Sequence, residues 1–159
     1  MLQLTKRTEY GLIALVHMVD QRGSFLSARE ISEKYQVPKR LLAEVLKDLG
    51  RAGLVDSQRG ANGGYSLSRP AEEITVGDVV SALEGAPLLA SCESTVQGAG
   101  SECDIEPNCP IRSPLQRIRE GIWRQLEHTT LRSLVEPIFA ITGPITPRAM
   151  TSQATPPQE

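Results

Sequence analysis

The sequence predicts a mainly α fold: a winged helix-turn-helix with a β-hairpin wing, followed by one long C-terminal helix. Three observations predict it. Two short helical segments meet at Gln36-Val37-Pro38. Two strand-like runs flanking a glycine-rich turn come directly after them. Beyond Pro114 runs an apolar stripe that nothing later in the chain obviously covers.

The first helix is read over residues 8–22. Leu12, Leu15, Val16 and Val19 recur at i, i+3, i+4 and i+7, with Ile13 and Met18 widening the stripe and Gly23 ending it. Ser27-Ala-Arg-Glu30 is a capping box that opens a short helix through Tyr35, with Ile31 inward. Pro38 suits the first turn of the next helix, where its missing N–H has no helical partner. That helix runs to about Ala52 with Gly53 as its stop, burying Leu42, Val45, Leu46 and Leu49. Its other faces carry Lys39, Arg40, Glu44, Lys47 and Arg51.

Leu54-Val55 and Tyr65-Ser-Leu67 read as short strands around a turn from Asp56 to Gly64, whose glycines and Asn62 tolerate positive φ. Thr75 caps a helix with Asp78 three residues on, and Val79, Val80 and Leu83 point inward before Gly85-Ala-Pro87 ends it. Pro114 starts the long helix, which reaches about Thr129 with Leu115, Ile118, Ile122, Trp123 and Leu126 on one face. A short helix from Thr130 or Leu131 to Val135 follows. From Gly143 the chain is rich in Pro, Thr and Gln and reads as a disordered tail. The organisation is therefore 1–84 as a DNA-binding domain, 85–112 as a cysteine-rich loop, 113–136 as a dimerisation helix region and 143–159 as the tail.

Composition narrows the function. A chain of 159 residues with 40% hydrophobic and 23% charged residues is ordinary for a soluble domain. No apolar run approaches the roughly 20 residues of a membrane helix. The N-terminus has no apolar signal core, which points to the cytoplasm. No second catalytic group accompanies a serine, and no GxxxxGK[ST] phosphate loop occurs, so an enzyme is not expected. Net charge is −2, yet residues 1–69 balance to +4 and residues 70–159 to −6. A basic front on an acidic body fits a head that meets phosphates.

In the second helix of the helix-turn-helix, Pro38, Lys39, Arg40, Ala43 and Glu44 occupy the first two turns, the end that meets base edges in this motif. Lys47 lies farther along, towards the DNA backbone. Arg59 sits on the slim wing turn, where an arginine can enter a narrow A·T-rich minor groove. The long helix, with no obvious cover from later sequence, must pack on the head, on a second copy, or on both, and a symmetric dimer best matches paired DNA half-sites.

All three cysteines fall in eighteen residues, Cys92 to Cys109, spaced C-x10-C-x5-C among Gly, Ser, Pro and acidic residues. An odd number cannot pair completely, and such a cluster in a reducing compartment points to a metal or redox site. His17 and His128, the only histidines, stand apart from it and are read as structural or surface residues.

The segments LTKRTEYGLIAL, ISEKYQVPKRLLAEVLKDLGRAGLV, RGANGGYSL and ITVGDVVSALEG, followed by the first cysteine, resemble a known family. It is the winged-helix iron–sulfur transcription regulators that include IscR, NsrR and RirA, and the resemblance spans roughly residues 2–135. It implies a homodimer whose long helices cross, a 2Fe–2S or 4Fe–4S cluster on Cys92, Cys103 and Cys109, and operator binding that depends on the cluster. The gap between Cys92 and Cys103 is longer than is usual in the family. IscR-like members place a histidine three residues after the last cysteine, and here that residue is Arg112. NsrR-like members supply a first-helix carboxylate in T-D-Y, matched here by Glu9 in Thr8-Glu9-Tyr10, so the resemblance makes Glu9, donated across the dimer, the fourth ligand. Glu93, Glu102, Asp104 and Glu106 are competing oxygen donors. The function implied is a regulator, most often a repressor, responding to cluster status, iron, nitric oxide or redox stress. Two alternatives stay open: a winged-helix regulator with zinc on the cysteines, and a redox or cluster-carrier protein.

Overall fold

The computed structural model describes residues 4–21, 23–60, 63–85 and 109–136. The elements are α1 (Lys6–Asp20), α2 (Ala28–Tyr35), α3 (Lys39–Arg51), β1 (Val55–Gln58), β2 (Gly64–Leu67), α4 (Val76–Leu83), α5 (Arg112–His128) and α6 (Leu131–Val135). Two capping boxes set the helix starts. Ser27 and Glu30 exchange hydrogen bonds at α2, and Thr75 and Asp78 do so at α4. Thr5 caps α1, so that helix begins two residues earlier than its apolar spacing suggests.

The core is the meeting of α1, α3 and α6. Ala14, Leu15, Met18 and Val19 of α1 pack with Leu42, Val45, Leu46 and Leu49 of α3, and with Ile31, Ile74, Val79 and Leu131. The buried stripe of α1 is rotated from the one read in the sequence. It runs through Thr8, Gly11, Leu15 and Met18, leaving Leu12, Ile13 and Val16 half-buried. Gly11 explains the rotation: a Cβ there would lie 2.8 Å from Leu83 Cδ1 and 3.3 Å from Val45 Cγ1, so α1 approaches α3 and α4 over a bare backbone.

Between α2 and α3 the chain turns at Gln36, the one non-glycine residue at positive φ (55°) among those described. The turn is held by Val37 N–H donating to Ser32 O at 3.1 Å and by Ser32 Oγ donating to Val37 O at 2.7 Å. Pro38 stands at the N-cap, just outside the first helical turn, with ψ of 116°. The hairpin pairs Val55 with Leu67 and Gln58 with Gly64. A bridge from Leu26 to Tyr65, 2.9 Å in both directions, ties the wing to the start of α2.

The long helix α5 is anchored at its C-terminal end. Val76 N–H donates to Thr129 O and Leu131 N–H donates to Ile74 O, both at 2.8 Å. Beside this seam α4 and α5 touch at Gly77, where a Cβ would lie 3.2 Å from the Glu127 backbone nitrogen and Cα. No residue of α5 is buried, and Ile118 is 53% exposed. The tail of residues 143–159 and all but the two ends of the loop, Gly85 and 109–112, lie outside the described residues.

Candidate functional site

The face of α3 turned from the core carries Lys39, Arg40, Ala43, Glu44 and Lys47, all exposed, with Pro38 exposed just ahead of them. The structure thus brings together the six helix-turn-helix residues singled out in the sequence. The heptad-like spacing of Leu42, Val45, Leu46 and Leu49, each fully buried, fixes which face remains outside. The first turn of α3 has no side-chain cap and no acidic residue. Its free N–H groups and the positive end of the helix dipole therefore add to Lys39 and Arg40 in favouring phosphate. Arg40 and Glu44 form an i,i+4 pair at 3.4 Å, exposed enough to exchange for a DNA contact at little cost.

Arg59 follows β1 on the wing, exposed and succeeded by Gly60 at a φ of 121° that suits glycine. Between the hairpin and the second half of α3 lies an open groove lined by Lys47, Arg51, Asp56, Ser57 and Tyr65. Helix and wing therefore share one surface.

Sequence reasoning missed what holds α3 at its angle. Asp48 accepts hydrogen bonds from Arg7 Nη2 of α1 at 2.5 Å and from Arg51 Nη1 at 2.9 Å. Pairs between residues 41 apart leave no local spacing to read. The turn of the motif has its own brace. His17 of α1 is buried, with Nδ1 at 3.3 Å from Tyr35 Oη and 3.4 Å from Lys34 Nζ, and its ring meets Tyr35 edge-on. Burial, then the Lys34 cation, push the imidazole below its ordinary value, while Asp20 and Glu30 pull the other way.

Of the metal candidates, Cys109 and Glu9 are described. Cys109 is a free, partly exposed thiol immediately ahead of α5, its carbonyl accepting from Arg112 N–H at 3.4 Å. Glu9 lies in the first turn of α1, where Lys6 Nζ donates to Oε2 at 2.5 Å and the carboxylate raises the Lys6 ammonium above its usual range. Near it, Thr5 N–H and Oγ1 donate to Glu84 Oε1 at 3.0 and 2.9 Å, joining the start of α1 to the end of α4, from which the cysteine loop departs. Burial pushes the Glu84 carboxyl up, and these bonds with the nearby Thr8 hydroxyl dipole outweigh it and hold it below the usual carboxylate range. The Thr8 hydroxyl itself has no well-formed hydrogen bond. Cys92, Cys103, Glu93, Glu102, Asp104 and Glu106 lie outside the described residues. Among the described residues no three His, Cys, Asp or Glu side chains converge on one point. No helix among them is long and apolar enough to cross a membrane.

Residues 4–137 match the Rrf2 family, described as iron-dependent transcriptional regulators. Three solved structures are similar. CymR, the global cysteine regulator of B. subtilis, is 28% identical with a TM-score of 0.65, over 84% of this chain and 96% of that one. CymR of Staphylococcus aureus is 30% identical with a TM-score of 0.64, over 84% and 98%. IscR of T. potens is 26% identical with a TM-score of 0.63, over 84% and 86%. A family match across most of the chain agrees with the helix-turn-helix and wing described above, and the chain belongs to the Rrf2 family of transcriptional regulators.

Proposed function

We propose that this regulator is a homodimeric repressor whose operator affinity is set by an iron–sulfur cluster on Cys92, Cys103 and Cys109, with Glu9 of the other subunit as fourth ligand. The observation that carries the reading is the donor set: three thiols in eighteen residues, placed between the DNA-reading head and the long helix. Soft, charged sulfur suits iron, and the free thiol of Cys109 at the start of α5 fits such a group. When bound, the cluster supplies a centre that reacts with nitric oxide and oxidants. Glu9 exchanges Lys6 for the metal, and a carboxylate is the most readily lost of the four donors.

The dimer reading rests on α5, whose apolar stripe is only half-buried within the described residues of one chain, with Ile118 53% exposed. With Cys109 at one end of α5 and the head anchored at the other, the ligand state biases how two heads are spaced. Operator affinity changes when one spacing fits the half-sites better. Within each head, the α3 N-terminus meets bases, Lys47 meets backbone and Arg59 enters the minor groove.

Anaerobic purification tests this. The expected product is a brown dimer with acid-labile sulfide, and Glu9→Ala is expected to recolour or destabilise the cluster while the dimer persists. A colourless protein containing zinc and no sulfide would replace the cluster with the zinc reading. The likeness to two CymR proteins, one of them the global cysteine regulator of B. subtilis, favours a second reading in which the effector is a signal of cysteine supply. In that case the cysteine-to-serine variants bind operator as the unaltered protein does.

A further inference from the structure

The DNA-binding reading leaves one arginine of α3 unused, and its surroundings assign it a role. Arg51 ends the helix one turn beyond Lys47, and both line the groove between α3 and the hairpin. Twelve residues of helix place Arg51 about 18 Å from Lys39, beyond the roughly 12 Å width of a major groove that holds the N-terminal turns. A side chain at that distance faces the phosphates that flank the groove, not the base edges.

Arg51 is 67% exposed, and only Nη1 is used, on Asp48 Oδ1. Asp48 is 26% exposed, so leaving it unpaired is costly. Its second oxygen is held by Arg7 Nη2, which reaches across from α1. The carboxylate is therefore still neutralised when Arg51 turns away. Asp56 also lines the groove and opposes an anion there, while Ser57 offers a neutral donor.

We propose that Arg51 is an operator-phosphate contact, kept in reserve on Asp48 and released to DNA because Arg7 continues to neutralise that carboxylate. Arg7 is a positioning residue, acting through Asp48 without touching DNA. The proposal rests on the DNA-binding reading and adds to it a second, sequence-independent contact surface at the far end of α3.

The test is the salt dependence of operator and non-operator DNA binding for the full-length protein and for Arg51→Ala, Arg51→Lys, Arg7→Ala and the Arg7→Ala/Arg51→Ala double variant. Each phosphate neutralised contributes about 0.9 to the slope of log affinity against log salt. Arg51→Ala is expected to lower the slope by about one and to weaken both DNAs by a similar factor, roughly five- to tenfold at moderate salt. Arg51→Lys should retain the slope. Arg7→Ala alone should weaken binding, because Arg51 is then held on Asp48, and the double variant should be no weaker than Arg51→Ala. An unchanged slope in Arg51→Ala overturns the contact. Additive losses in the double variant overturn the coupling, since a purely structural role for Arg7 gives additivity. If the unaltered protein binds no DNA at any salt, the underlying reading fails instead.

Discussion

At the scale of single residues, chemistry concentrates where a side chain answers to two elements. Arg59, exposed on the wing, has only the proposed task of meeting DNA. Arg59→Ala should weaken operator binding with the fold retained, measured by anisotropy titration at fixed salt and by circular dichroism. An Arg59→Ala protein that binds operator normally would remove the wing from the interface. His17 is the opposite case, a buried ring that braces α1 on α2. Its folded value lies below the ordinary 6.5, so it gains a proton less easily when folded than when unfolded. Stability from this site is complete above about pH 7 and is lost as pH falls through 6.5 towards the depressed folded value. Urea midpoints between pH 5 and 7.5 should show that slope, and His17→Gln should flatten it; equal slopes in both proteins would contradict the assignment.

At the scale of elements, the close crossings decide the arrangement. Gly77→Val puts branched carbon against the Glu127 backbone, which can recede only by moving α5. We expect a loss of about 1–3 kcal/mol in chemical denaturation, with α5 the first element to lose hydrogen-exchange protection. Leu131→Ala, in the fully buried anchor of α6, should cost about 2–5 kcal/mol. These same crossings mark the limit of what the sequence discloses. Local chemistry was legible: Ser27 with Glu30, Thr75 with Asp78, and the buried face of α3 all stand where their spacing put them. Partners remote in sequence were not. Nothing local announces that Leu26 bridges to Tyr65, that Thr75 bridges to Thr130, or that Gly11 turns the buried stripe of α1. The strands also run one way or the other past their apolar residues, because Asp56, Ser57 and Gln58 pair on an exposed wing where burial imposes no alternation.

At the scale of the whole molecule, the described residues of one chain form a head with a half-covered arm, on which Ile118 stands exposed. The exposed face of α3 and the wing, proposed to read DNA, were legible from residue types and spacing, since both are local structures. The proposed sensing half is legible only as a donor inventory, because in that proposal the ligands come from a loop and from α1 and have no common spacing. The arm predicts its own completion: light scattering should give a dimer, and Ile118→Asp should give monomers whose heads still melt cooperatively. The most direct test of the central claim joins both halves in one sample. Protein purified without oxygen is analysed for visible absorption and acid-labile sulfide, then titrated with operator before and after nitric oxide. The account predicts a coloured, sulfide-containing dimer whose operator affinity changes by at least about fivefold on treatment. A colourless, sulfide-free dimer, or a coloured one with the same operator affinity before and after, would contradict it.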